Sequence, residues 1–182
     1  LAAIQAGVST SAPDHLIGAD ASAGTAGLGE TTASVDISST ASTRVDPLDL
    51  MARMACKLDD EFIPEEGRWF AAPPSFYEEL SKSASKLMSV DYNGGMGSLR
   101  NGLVSSGKLR GFEMYKTNNI AAPSTATGFV MGGHKSATAT AQTIINTESF
   151  RSPDFFGDVC RGLHVFGSKV LRPEAITGAF YS

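Results

Sequence analysis

The sequence is short of cysteine, histidine and long apolar runs, and each shortage removes a class of function. Its two cysteines, Cys56 and Cys160, stand far apart with no metal or redox spacing, so neither a disulfide framework nor a Cys-rich metal site is indicated. The expectation for both is a reduced, buried thiol. Three histidines, His15, His134 and His164, lie apart from one another and lack a partner at metal-ligand spacing. No apolar stretch approaches the roughly 18 to 20 residues needed to cross a bilayer, so no membrane partner is expected. Cations are not in excess: 15 Lys and Arg against 19 Asp and Glu leave a net charge of −4. That balance argues against a sequence-specific nucleic-acid reader, whose phosphate contacts need clustered Lys and Arg. The chain opens on Leu1 without a basic region followed by an apolar core, and no signal peptide is expected at its start.

What is present is a globular chain of 182 residues with 42% hydrophobic content, enough to bury a sizeable core. "LAAIQAG" (1–7) reads as the last turns of a helix ending at glycine. From Ala19 to Arg44 the chain is dominated by Ala, Ser, Thr and Gly and reads as a loop or linker, with one short strand at "TASVDIS". "VDPLDLMARMACKLDDEF" is an amphipathic helix: Asp46 can cap it, Pro47 suits its first position and Asp49 its first turn. Leu48, Met51, Met54, Ala55, Leu58 and Phe62 form its core-facing stripe.

"RWFAAPP" reads as a short strand ended by prolines. "SFYEELSKSASKLM" reads as a second helix opened by a Ser75/Glu78 capping box. "KLRGFEMYKTNNI" and "TGFVMGG" read as strands, and "TIINTESFRSPDFF" as an extended stretch with Glu148 and Arg151 as a charged pair. "GDVCRGLHVFGSKVLRP" is a long strand. It carries Val159, Leu163, Val165 and Leu171 on one face and Cys160, Phe166 and Val170 on the other, the pattern of a strand buried on both sides. The class is α+β.

Chemistry-bearing motifs are few. "DYNGGMGSLRNG" has the glycines of a phosphate loop but not the Gly-Lys-Ser/Thr ending, and reads as a surface loop. His134, Lys135 and Ser136 are adjacent in sequence, which is not a triad, because catalytic groups must converge in space with an orienting partner. A small hydrolase using Ser136 or Cys160 is the rival reading from the enzyme class. The favoured reading has no catalytic residue, no metal and no cofactor.

The order of four stretches carries a resemblance. "DLMARMACKLDDEFIPEEGRWFAAPPSFYEEL", "GFEMYKTNNI", "MGGHKSATATAQTIINTESFR" and "LRPEAITGAFYS" are similar, in that order, to segments of the major capsid proteins of tailed bacteriophages, the Hong Kong 97-type fold. The first contains the "P-x-x-G-R" turn and the last the terminal "R-P-x-A-x-x-x-x-F". The resemblance implies an axial domain over 46–133 and peripheral-domain strands over 134–170. It implies that 171–182 returns as a strand to the axial domain and that 1–45 holds the end of a spine helix and a peripheral linker. The N-terminal arm and extended loop of the family are expected to be absent.

The implied function is structural. The subunit would self-assemble into hexamers and pentamers of an icosahedral head around the phage genome, in the virion after synthesis in the host cytoplasm. Implied partners are further copies of itself, a scaffolding protein, a portal, a decoration protein and double-stranded DNA held without sequence-specific contact. Gly94, Gly95, Gly97 and Arg100 are expected at capsomer contacts, because glycine lets backbones crowd around a symmetry axis. An encapsulin-type nanocompartment shell is the alternative within the same fold.

Overall fold

The computed structural model describes residues 16–20, 27–38, 43–82, 108–120, 128–153 and 156–182. Among them are two helices, nine strands and two 3-10 turns, an α+β architecture as expected. The strands are β1 (Leu16–Ala19), β2 (Leu28–Gly29), β3 (Arg68–Ala72), β4 (Lys108–Leu109), β5 (Phe112–Lys116), β6 (Gly128–His134), β7 (Thr138–Arg151), β8 (Asp158–Val170) and β9 (Ile176–Tyr181). The helices are α1 (Pro47–Asp60) and α2 (Pro74–Ser81). Seven strands form one mixed sheet in the order β2-β1-β9-β6-β3-β5-β4, while β7 and β8 pair only with each other.

Helix α1 starts where the sequence says it should. The Asp46 carboxylate accepts from the Leu48 amide at 2.9 Å, and Pro47 occupies the first turn, where a missing N–H costs nothing. Leu48, Met51, Met54 and Leu58 are fully buried as expected, and Leu50 joins them. Phe62 does not: it is 94% exposed. The helix ends two residues earlier, at Asp60. The Phe62 amide bonds back to Asp59 O at 2.9 Å and the Ile63 amide to Leu58 O at 3.0 Å. This is a Schellman turn with Phe62 in its left-handed position, at φ 55°. Ile63 folds back into the core in its place.

Helix α2 also departs from its expected cap. Pro73 stands at the cap without a side-chain bond, and the Ser75 hydroxyl instead lies 2.6 Å from the Tyr181 hydroxyl. "KLRGFEMYKTNNI" is a hairpin rather than one strand, because Arg110 (φ 52°) and Gly111 (φ 84°) form a tight turn that matches strand twist. "TASVDIS" contributes a single bridge, Val35 beside Tyr181.

The stretch "LRPEAITGAFYS" supplies β9. β9 lies in the sheet interior, antiparallel to β6 and parallel to β1, and its residues are almost all buried. Segment 1–45, read as a linker, thus contributes β1 and β2 to the same sheet as β9. Above the sheet, Phe70, Phe76 and Phe112 pack with centroid separations of 5.6 and 5.9 Å, and Phe76 meets Tyr181 edge-on at 5.6 Å. Gly128 opposes that ring: a Cβ there would lie 2.2 Å from Tyr181 Cζ, so only glycine fits.

Burial holds the Tyr181 phenol above its ordinary value of 10.0, against a smaller downward pull from the Ser75 hydrogen bond. A raised folded-state pKa means the native state keeps its proton longer than the unfolded chain. Its contribution is therefore whole below about pH 10 and is lost as the pH rises through the folded value. Thermal melts taken upward from about pH 9 should show a shallower alkaline loss of stability in Tyr181→Phe than in the parent chain. Identical slopes would mean that the phenol is not the group responsible.

Candidate functional site

His134 ends β6, where the backbone turns out of the sheet towards β7. Its Nδ1 lies 2.8 Å from Ser136 Oγ and 3.2 Å from the Ser136 amide, and its Nε2 lies 2.8 Å from the Glu66 carbonyl. With the neutral ring protonated on Nε2, every contact is satisfied: Nε2–H donates to Glu66, and Nδ1 accepts from Ser136. The structure does bring Ser136 and His134 together, yet Nδ1 serves to cap the 3-10 turn at 135–137 and Nε2 ties the ring to the Glu66 carbonyl. A carbonyl, not a carboxylate, orients the ring, and a carbonyl gives little support to an imidazolium formed in catalysis.

Cys160 and Cys56 are both exposed, contrary to the expectation of buried thiols: Cys56 lies off the buried stripe of α1, and Cys160 lies on a strand exposed on both faces. His164 stacks beside Phe166 at 5.8 Å between centroids. His15 lies outside the described residues, as do Gly94, Gly95, Gly97 and Arg100. Among the described residues no group of three or more His, Cys, Asp or Glu is placed to hold a metal ion, and no helix is long and apolar enough to cross a membrane.

The surfaces are more informative than the reactive groups. β7 and β8 form a two-stranded ribbon roughly 40 Å long that leaves the sheet through a narrow neck. At the neck, Leu171 and Arg172 amides both reach Ala137 O, at 2.8 and 3.2 Å. Small residues permit this closeness: a Cβ on Gly133 would lie 2.7 Å from Ala175 O. The register shifts between Ile144 and Asn146, a bulge that adds twist.

β8 was expected to be buried on both faces. In the single chain it is exposed on both, with Phe166 at 73%, Leu163 at 55% and Val165 at 45% exposure, and Ile144 on β7, opposite His164, is 68% exposed. Glu148 pairs across the ribbon with Arg161 rather than with Arg151, since antiparallel register sets them opposite each other. Arg151 lies over the Phe156 ring at 4.4 Å.

A second surface is an open cleft of about 440 Å³ on the sheet face opposite Phe70 and Phe112. Trp69, Ala71, Tyr115, Lys116 and Lys135 are among the residues that line it, and the Lys116 ammonium lies over the Tyr77 ring at 5.8 Å. The Tyr115 hydroxyl donates to Glu113 at 3.1 Å, which raises the Tyr115 pKa above 10.0, first through that bond and then through the carboxylate's charge.

Arg68 was passed over in the sequence as the last letter of "P-x-x-G-R". It is 2% exposed, donates through Nε to Pro64 O at 3.0 Å and through one terminal nitrogen to Ile63 O and to Asp59 Oδ1, the last at 2.6 Å. The other terminal nitrogen lies 3.5 Å from Ala55 O. Gly67 (φ 83°) supplies the left-handed bend that turns Arg68 inwards. The motif is thus a buried clamp between α1 and β3, and Gly followed by Arg just after a helix was the signal that could have revealed it.

This architecture is shared with capsid chains of bacteriophages, as the resemblance in the sequence implied. A chain described as Mycobacterium phage Che8 matches with a TM-score of 0.60 and 30% identity, over 80% of this chain and 53% of that one. The capsid of cyanophage P-SCSP1u matches with a TM-score of 0.57 and 20% identity, over 84% of this chain and 54% of its own. The mature capsid of bacteriophage PhiM1 matches with a TM-score of 0.57 and 17% identity, over 74% of this chain and 46% of that chain. The chain therefore spans about half the length of the solved chains it matches. No family model and no curated protein matches it by sequence.

Proposed function

We propose that the chain is part of a Hong Kong 97-type major capsid protein that self-assembles into hexamers and pentamers of a phage head. The observation that carries this reading is the β7–β8 ribbon. A two-stranded ribbon has no core of its own, and this one presents Ile144, Leu163, Val165 and Phe166 to solvent. Large apolar surface of that kind is characteristic of a face that is covered in an assembly. The apolar residues on both faces of β8, which look like burial within one chain, fit burial between chains equally well.

In this reading the sheet and helices form the axial body, and 134–170 the peripheral arm that meets neighbouring capsomers. The body takes in 46–133 and 171–182, with β1 and β2 attached to it. Gly94, Gly95, Gly97 and Arg100 are proposed as contacts near the capsomer centre. Scaffold, portal and decoration protein are the proposed partners, the virion the proposed location. A chain of net charge −4 suits a container that holds DNA without gripping it.

The test is assembly. The full-length product containing this chain, made with its scaffold, is expected to form closed shells visible by electron microscopy. Leu163→Ser combined with Phe166→Ser should leave the subunit's melting temperature within about 2 °C, because both side chains are exposed, and should lower shell yield at least tenfold. Shells that enclose an enzyme instead of DNA would favour the encapsulin alternative. Monomers under all assembly conditions would remove the capsid reading.

A further inference from the structure

A titratable side chain stands inside the apolar surface of the ribbon. His164 is exposed on β8, its ring stacked beside Phe166 at 5.8 Å between centroids and 29° between planes. Antiparallel register sets Ile144 of β7 directly opposite it, and Gln142 opposite Phe166. Opposed residues share a face of a ribbon, so Ile144, His164 and Phe166 form one patch. Its two apolar members are 68% and 73% exposed.

The residues that adjoin the ring on that face are uncharged. β7, the strand paired with β8, presents Ile144 and Gln142 there, and Thr147 beyond the bulge. On β8 itself Gly162 and Phe166 lie on either side of the ring. Cys160 is the next titratable group along the face, and the opposed Arg151 and Asp158 stand at its far end. The Glu148–Arg161 ion pair and Lys169 fall on the other face by alternation. Among the described residues, then, no carboxylate stands beside His164 to balance a proton on the ring. Imidazole changes charge between about pH 5 and 8. In the free subunit water solvates either form, because the face is open. Under a covering surface the charged form loses that water, and a buried charge without a partner is costly.

We propose that His164 makes the covering of this ribbon face by a neighbouring copy of the chain depend on pH: the contact forms with the neutral ring and is opposed by the protonated one. A copy whose ring is charged in solution must release one proton to the solvent as its ribbon is covered. The assembled state thus binds fewer protons than the free subunit, so assembly is strongest above the imidazole range and weakens as the pH falls through it. This deepens the capsid reading by giving its ribbon contact a regulator, and it rests on that reading.

The test uses the full-length protein containing this chain, assembled with its scaffold. From about pH 7.5 to about pH 5.5 the shell yield of the parent is expected to fall roughly tenfold, and that of His164→Phe by no more than about twofold. His164→Lys, charged throughout that range, should assemble poorly at both ends of it. The scaffold's own response to pH is common to all three proteins. Melting temperatures of the three free subunits should agree within about 2 °C at each pH, because the ring is exposed and lies outside the subunit's core. Three results would each overturn the proposal and leave the capsid reading intact: an equal pH response in parent and His164→Phe, a parent yield that rises as the pH falls, or normal shells from His164→Lys. A parent protein that forms no shells at any pH would overturn both.

Discussion

Arg68→Met is expected to destabilise the subunit by about 3 to 5 kcal/mol, the range for stripping one partner from a buried, charged network. Methionine fills much of the same volume, so the loss is one of hydrogen bonds rather than of packing. The carbonyls of Ile63 and Pro64 lose a charged donor in a region closed to water, and each unsatisfied group costs about 1 to 3 kcal/mol. Arg68→Lys should recover little, because one ammonium cannot fork towards Pro64, Ile63 and Asp59 at once.

Asp59 contributes less than the carbonyls. Its side chain is 65% exposed, so water screens its ion pair with Arg68, and Asp59→Asn should cost no more than about 1 kcal/mol. Urea unfolding of the three variants measures this. If Asp59→Asn were as damaging as Arg68→Met, the ion pair and not the set of carbonyls would be the source of stability.

Leu58→Ala should cost about 2 to 5 kcal/mol, transfer of the side chain plus the cavity left behind. Leu58 is fully buried, and its carbonyl also accepts the Ile63 amide that closes the turn after α1. The two roles make the site hard to collapse: inward relaxation would pull on the same turn that Arg68 clamps. The expected signs are a lower melting temperature and reduced soluble yield before any assembly step. An unchanged melt with lost assembly would show that this face of α1 meets a neighbour instead of the core.

How much could be read in advance depended on the range of the forces involved. α1 was legible because its signals are local: Asp46 and Pro47 at the start and a stripe at helical spacing. The stripe ran one residue too far, to Phe62, because spacing does not register a left-handed stop without glycine. Ser75 and Glu78 have capping-box spacing, but Pro73 and Pro74 fix the entry and Tyr181, more than a hundred residues away, takes the Ser75 hydroxyl. Arg110–Gly111 was missed as a turn because its flanks are continuous strand material.

β8 was legible as a strand and its neighbours were not. Alternation tells that both faces are apolar, but it is silent on whether the atoms covering them belong to the same chain. Of the candidate surfaces, the ribbon was visible as sequence and the cleft was not, since Trp69, Tyr115 and Lys135 are brought together only by the pairing of β3 with β5 and β6.

The interior position of β9 has a consequence for when the sheet can close during synthesis. Until translation has passed Tyr181, β1 and β6 have open edges facing each other across an empty lane, and Val35 lacks the backbone partners it later finds at Phe180 and Ser182. Such pairings, distant in sequence, form slowly and late. A nascent chain on a polysome would therefore carry β1 and β6 without the strand that joins them, because the sheet waits for its central member. Neighbouring nascent chains could touch through their ribbons but could not yet present a completed sheet. Order of synthesis alone would hold back closure of the sheet until its central strand has been made.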